Sequence, residues 1–331
     1  MTLQSQTHNV LCGIDEDGIK LTSANIKVKV IFIYGNARSY FVTAPKEMTV
    51  KAALARYFKK GDVAYLSAVA AGGVWNGTRR IKSEDEILPS GQTLKVYISP
   101  TQGLKYHLAD DAVVSETKDY IVVVKPAGLS TVPDRACDQF NLTAAVGSYL
   151  KRNGSRYVPT AISRLDLMVQ GIVMFPKHKD AEKTLFAMMQ HHQIRKLYRA
   201  TVAPSVRQPL AVRPYRSVDF PLEFGKKGMI TPAGKPSRTI FLTDGSNGTQ
   251  FSAIPITGRR HQIRVHASAT VGPIVGDTIY GGPPADRIYL AAVGLNFRWA
   301  RKRVRIRYEG PFPAPLRMDD GKIVGEGVSE Y

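Results

Sequence analysis

Cysteine is nearly missing from this sequence: only Cys12 and Cys137 occur in 331 residues. Two thiols cannot build a disulfide framework or a zinc ribbon, and they fit a reducing compartment. No apolar run approaches the ~20 residues that a membrane-spanning helix needs. No Gly-x-Gly-x-x-Gly follows a strand, no phosphate-loop signature occurs, and no cysteine–histidine set has metal-ligand spacing. These absences argue against dinucleotide, nucleoside-triphosphate and structural-zinc chemistry. No cofactor and no metal are expected. Residues 1–20 carry Asp15, Glu16 and Asp17 but no arginine, unlike a secretory signal or a mitochondrial presequence. Acidic residues are scarce too, 27 against 46 Lys and Arg, for a formal net charge of +19. An excess of this size points to a polyanionic partner, nucleic acid first.

What is present divides along the chain. Residues 1–24 are polar and aperiodic and read as a loose arm. From 25 to 99 strand and helix signals alternate. Val28–Tyr34 and Ser39–Val42 read as strands around a Gly35-Asn36 turn, and Val50–Phe58 and Val63–Ala71 as short helices. Val74–Gly77 reads as a strand entering a turn, and Leu94–Ile98 as a closing strand. Pro100 and Gly103 mark a linker. A larger mixed unit is expected over 104–315, with a polar tail over 316–331. Within it Ile121–Val124 is a buried-strand run, and Thr143–Arg152 and Asp180–Gln190 have helical periodicity. Lys235–Leu242 and Phe251–Ile256 read as strands. Arg303–Arg307 alternates basic and apolar residues, which sends Val304 and Ile306 to a core and three arginines to solvent.

Three chemistry-bearing segments stand out. Asp166 follows Ser163-Arg164-Leu165 and precedes the apolar Gly171–Phe175. An acid in that position is a paired buried charge or a working carboxylate. Lys196–Ala200 carries Tyr198, an apolar ring with a polar tip. Thr257–His266 is a compact basic cluster holding Arg259, Arg260, His261, Gln262, Ile263 and Arg264. His261 and His266, read on a strand, face opposite sides and do not share a metal.

Taken together, these segments resemble the RluA-type RNA pseudouridine synthases. Tyr120–Pro133, with Lys125-Pro126-Ala127-Gly128, is similar to the family's first motif, and Arg164-Leu165-Asp166 with Gly171 to its catalytic motif. Ile256–His266, continued by Gly272–Gly281, is similar to its third. Residues 72–77 and 88–92 resemble an S4-type RNA-binding domain, although the opening hairpin also suits a β-grasp module.

The resemblance implies an α+β fold: a catalytic domain with a mixed, mostly antiparallel central sheet, preceded by a small S4-like or β-grasp domain. It implies an isomerase that detaches uracil from ribose, turns it and rejoins it through carbon. Asp166, Tyr198 and Arg264 would be catalytic. Arg164, Lys196, Ile263, Arg259, His261, Arg303, Arg305 and Arg307 would contact RNA. The expected partner is RNA, ribosomal first and transfer second, met by a monomer, with a pre-ribosomal particle as a further partner and no membrane. The expected location is cytoplasmic, or organellar had a presequence been removed. Ser163 stands where the family commonly has histidine, Leu167–Gln170 where it commonly ends in Thr-Ser before Gly171, and Leu290-Ala291-Ala292 where Leu-His-Ala is common. These departures keep a second reading open, a catalytically silent RNA-binding homologue that serves ribosome assembly.

Overall fold

The computed structural model describes residues 38–58, 63–203, 215–225, 227–243, 249–319 and 322–330. The arm over 1–24 and the first expected strand, Val28–Tyr34, lie outside them. The chain divides into two compact units, one of residues 1–104 with 134–139 and 330–331, the other of 105–133 and 140–329.

The first unit is built on a four-stranded antiparallel sheet ordered β1 (Arg38–Thr43), β4 (Thr93–Ile98), β2 (Val74–Asn76) and β3 (Arg79–Arg80). Helix α1 (Val50–Tyr57) starts where the Thr49 hydroxyl accepts the Ala52 amide at 3.1 Å. It buries Val50, Ala53 and Leu54. These side chains share a core with Val42, Val74, Ile81, Leu94 and Val96 and with residues of α2 (Val63–Ala70).

The second unit is a nine-stranded sheet. Its elements in chain order are β5 (Val113–Glu116), β6 (Tyr120–Lys125), α3 (Leu142–Arg152), β7 (Gln170–Pro176), α4 (Lys179–Gln190), β8 (Arg195–Thr201), β9 (Tyr215–Val218), β10 (Thr239–Thr243), β11 (Gln250–Pro255), α5 (Gln262–Thr270), β12 (Leu290–Trp299) and β13 (Lys302–Arg307). The strand order is β9-β10-β11-β8-β12-β7-β6-β5, with β13 also pairing β12. Every residue of β6 and β7 is buried, as expected of unbroken apolar runs in a sheet covered on both faces. The β7–β12 pair is parallel, in an otherwise antiparallel sheet. There Gly171 pairs with Ala292 at a φ of 128°, and a Cβ at Gly171 would lie 2.4 Å from the Ala292 nitrogen. Only glycine fits that approach.

Three expectations need correction. Residues 261–266 are not a strand: α5 begins at Gln262, after His261 turns through a φ of 51°. The alternating Ile263, Val265 and Ala267 mimic strand period. Gln262, Arg264 and His266 are buried as well, because each has polar partners inside the protein. A helix buried all round loses the periodicity that would mark it. The strand expected from Lys235 begins only at Thr239, since the Lys235 backbone instead exchanges two hydrogen bonds of 2.9 Å with Leu222. The expected polar tail is tied in: Leu316 is buried, its amide bonds to the Ala127 carbonyl at 2.9 Å, and Arg317–Asp319 pairs with Lys322–Val324.

Candidate active site

Asp166 sits on the loop that leads into β7, and the first motif cradles that loop. The Thr131 hydroxyl donates to the Leu165 carbonyl at 3.0 Å and accepts the Leu165 amide at 3.1 Å. The Gly128 amide reaches the Leu167 carbonyl at 2.9 Å. Lys125, at the end of β6, is fully buried. Its ammonium donates to the carbonyls of Pro126 (2.9 Å), Leu129 (2.7 Å) and Leu167 (3.1 Å). Burial pushes this group down to about 7, and the charge of Asp166 pulls the other way. The three carbonyls match the three donors of the charged form.

Arg264 is the hub. Its side chain, 4% exposed, projects from the first turn of α5. Nε and Nη2 each donate to Asp277 at 2.7 Å, a bidentate clamp, and Nη1 donates to Asp166 Oδ2 at 2.9 Å. The two carboxylates differ in access: the Asp277 side chain is 1% exposed, that of Asp166 28%. One arginine thus carries a sealed acid on one side and an open acid on the other. The Tyr280 ring lies 5.1 Å from the guanidinium carbon.

His261 borders Asp166, with Nε2 3.7 Å from Oδ2. Its Nδ1 is 2.9 Å from the Tyr280 hydroxyl, which also accepts the Gly228 amide at 2.9 Å. Burial lowers the imidazole below its ordinary range; Asp166 and Asp277 oppose this, and Arg264 and Arg260 add to it. Gln262 fastens the turn before α5. Its carbonyl oxygen accepts Thr257 Oγ1 (2.6 Å) and the Arg259 amide (3.0 Å), and its amide donates to the Arg238 carbonyl (2.8 Å) and Thr239 Oγ1 (3.0 Å).

Tyr198 lies on β8 between two alanines, Ala253 of β11 and Ala292 of β12. Its side chain is buried, 6% exposed. Burial, with Asp166 adding to it, raises its phenol well above the usual range, so it stays protonated. The structure therefore groups Asp166 with Arg264 and His261, and puts Tyr198 within reach of the Asp166 charge. Ile263 is buried beside Arg264, and Arg164 and Arg259 are exposed. Lys196 is half-buried, and burial lowers its ammonium. Arg303, Arg305 and Arg307 share one face of β13, apart from the carboxylate cluster. Cross-strand pairing adds Arg298 opposite Arg303, and Arg195 through Asn296 opposite Arg305. Asp277, Tyr280 and Lys125 lie inside the motif segments, yet nothing in the sequence assigned any of them a role. The scarcity of acids was the available signal for Asp277. Among the described residues no three His, Cys, Asp or Glu side chains converge as a metal set, and no helix is long and apolar enough to cross a membrane.

This architecture defines a sheet enzyme with one accessible carboxylate locked to a buried arginine. Residues 119–269 match the family model described as RNA pseudouridylate synthase. The dual-specificity RNA pseudouridine synthase RluA of Vibrio parahaemolyticus is 32% identical over 202 residues, covering 56% of this chain and 76% of that protein. The RNA pseudouridine synthase YjbO of Bacillus subtilis is 27% identical over 241 residues, covering 70% and 83%. Among solved structures, human RNA pseudouridylate synthase domain containing 1 aligns with a TM-score of 0.50 at 20% identity, covering 61% of this chain and 84% of that one. The chain belongs to the RNA pseudouridine synthase family, isomerases that convert uridine in RNA to pseudouridine.

Proposed function

We propose that this protein is an active RNA pseudouridine synthase in which Asp166 is the working carboxylate. The observation that carries this reading is the asymmetry around Arg264: the arginine is already neutralised by the sealed Asp277, so Asp166 is not needed to satisfy it. An open carboxylate hydrogen-bonded to a guanidinium suits attack on the ribose carbon, or removal of a ribose proton. Either route breaks the bond from ribose to the uracil nitrogen. The base then turns, ribose joins the ring carbon, and the proton on that carbon is released. Tyr198, kept neutral, supplies a flat ring for the base and a hydroxyl to handle that proton. Arg164, exposed beside Asp166, suits filling the gap that the extruded base leaves.

The substrate we assign is ribosomal RNA of the large subunit first, transfer RNA second. The arginine face of β13 and the first unit, which we read as an S4-like RNA-binding module, would supply affinity. The test is tritium release from uracil-labelled total RNA of a host lacking the gene, with wild type and Asp166→Asn. Turnover by the wild type alone is the expected result. Turnover by both would remove Asp166 from the mechanism. Turnover by neither would favour the silent RNA-binding reading.

A further inference from the structure

Two of the sequence's departures from the family pattern, at Gln170 and Ala291, are 121 positions apart in the chain yet face each other as partners in the parallel β7–β12 pair. Ala291 pairs in turn with Arg199 of β8, and Arg199 with Ser252 of β11. The next row along the sheet is Gly171, Ala292, Tyr198 and Ala253. Successive residues of a strand point to opposite faces. The Gln170–Ser252 row therefore looks out from the face of the sheet opposite Tyr198.

On that face lies a cavity of about 380 Å³, lined by this row together with Thr201, Gln250 and Tyr289. Its size is at the lower end of the roughly 300–1,000 Å³ typical of small-molecule sites. Ala291 forms part of its floor, where the family commonly carries a histidine ring that would fill the space. Gln170 is only 8% exposed. Its oxygen accepts Arg287 Nη1 at 3.1 Å, and among the described residues its amide nitrogen has no partner. The polar ends of Arg199, Thr201, Gln250 and Ser252 also make no side-chain hydrogen bond among the described residues.

The lining has a chemical bias. It offers the guanidinium of Arg199, amides and hydroxyls, and no carboxylate. The nearby acid, Asp286, is taken up by Arg287 at 2.9 Å. Tyr289 is 41% exposed, with the Arg287 guanidinium 5.7 Å from its ring centre. A cation for a phosphate, an open aromatic ring for a planar base and amides for a base edge describe a nucleotide. By alternation along β8, Arg199 is on the same side of its strand as Arg195, which begins the arginine face.

We propose that this cavity is a second nucleotide site, separate from the Asp166 site. It holds one unpaired nucleotide with the phosphate on Arg199 and the base against Tyr289. That the nucleotide belongs to an RNA strand rests on the function proposed above; a free nucleoside monophosphate shares the chemistry.

The test uses the full chain and two probes: a 12-nucleotide single strand carrying 4-thiouridine, and the free monophosphates UMP and AMP. Irradiation of the bound strand should leave an adduct on the peptide containing Tyr289. Arg199→Gln should weaken the strand about ten- to hundredfold, as for a lost hydrogen bond to a charged group. Ala291→His, which refills the floor, should weaken it as well. If circular dichroism shows Ala291→His to be misfolded, the exposed Arg199→Gln carries the test. Binding of the monophosphates that is lost in Arg199→Gln would identify a free nucleotide as the occupant. Binding of the strand alone would identify RNA. No adduct at Tyr289 and no change of affinity for either probe in Arg199→Gln would overturn the site. None of these readouts requires turnover, so failure of the isomerase reading registers separately, in the tritium assay.

Discussion

Replacing each carboxylate on Arg264 in turn should separate structure from chemistry. Asp277→Asn removes the sealed partner. An asparagine accepts one of the two 2.7 Å donations and turns its own N–H donors toward the other. The guanidinium stays buried, with Asp166 as its remaining carboxylate. Breaking a buried ion pair from one side costs about 3–5 kcal/mol. For a unit of this size that lowers Tm by roughly 6–20 °C. Asp166→Asn removes a partner that is partly open to water and leaves the bidentate clamp intact. Its cost should stay within about 1 kcal/mol, as for other solvent-screened pairs. Urea denaturation followed by circular dichroism measures both, and tritium release measures turnover. The expected pattern is crossed: Asp166→Asn is stable and inactive, Asp277→Asn is unstable with turnover left in the folded fraction. Equal stability losses would mean that Asp166 is a structural member of the ion-pair cluster, and the proposed mechanism would lose its basis.

Three further outcomes follow from the same structure. Lys125, lowered to about 7 by burial, binds fewer protons in the folded than in the unfolded chain between about pH 7 and 10.4. Stability contributed through it therefore rises with pH over that window. The stability gap between wild type and Lys125→Met should widen by about 2–3 kcal/mol from pH 7.5 to 9.5 in urea titrations; a constant gap would show that the three carbonyls hold the ammonium charged throughout. The β12–β13 turn puts Ala300 at a φ of 47° and Arg301 at 67°, which favours Asn-Gly. The double substitution Ala300→Asn with Arg301→Gly should stabilise by about 1 kcal/mol, and a loss of stability would contradict that account of the turn. Alanine at Arg303, Arg305 and Arg307 should reduce the dependence of log-affinity on log-salt for single-stranded RNA by up to about two units; an unchanged slope would take the arginine face out of the RNA path.

Much of the frame was legible in the sequence because burial and period agree there. Ile121–Val124 is apolar enough to read as a buried strand, and α3 and α4 keep one apolar face each. Helix α5 was not legible, since its polar residues are satisfied internally rather than by solvent. Gln262 alone closes four hydrogen bonds, and no pattern of hydrophobicity reports that. Asp166 stood out by its position before an apolar run, and the resemblance assigned roles to it, Tyr198 and Arg264. Asp277 and Lys125 escaped a role because their work is to hold other groups in place. A backbone clamp such as Lys125 on the Leu167 carbonyl leaves no signature beyond the residue itself.

The position of β12 bears on how this protein is made. The strand comes late in the sequence, at 290–299, yet lies between β8 and β7, both far earlier in the chain. Until it is synthesised, the Tyr198 strand and the strand after Asp166 have no sheet connection to each other. A nascent chain emerging from the ribosome would hold two half-sheets with open edges until residues 290–299 had followed them. During that interval the edges of β7 and β8 are exposed to mispairing, so a chaperone that shields strand edges would act most usefully there.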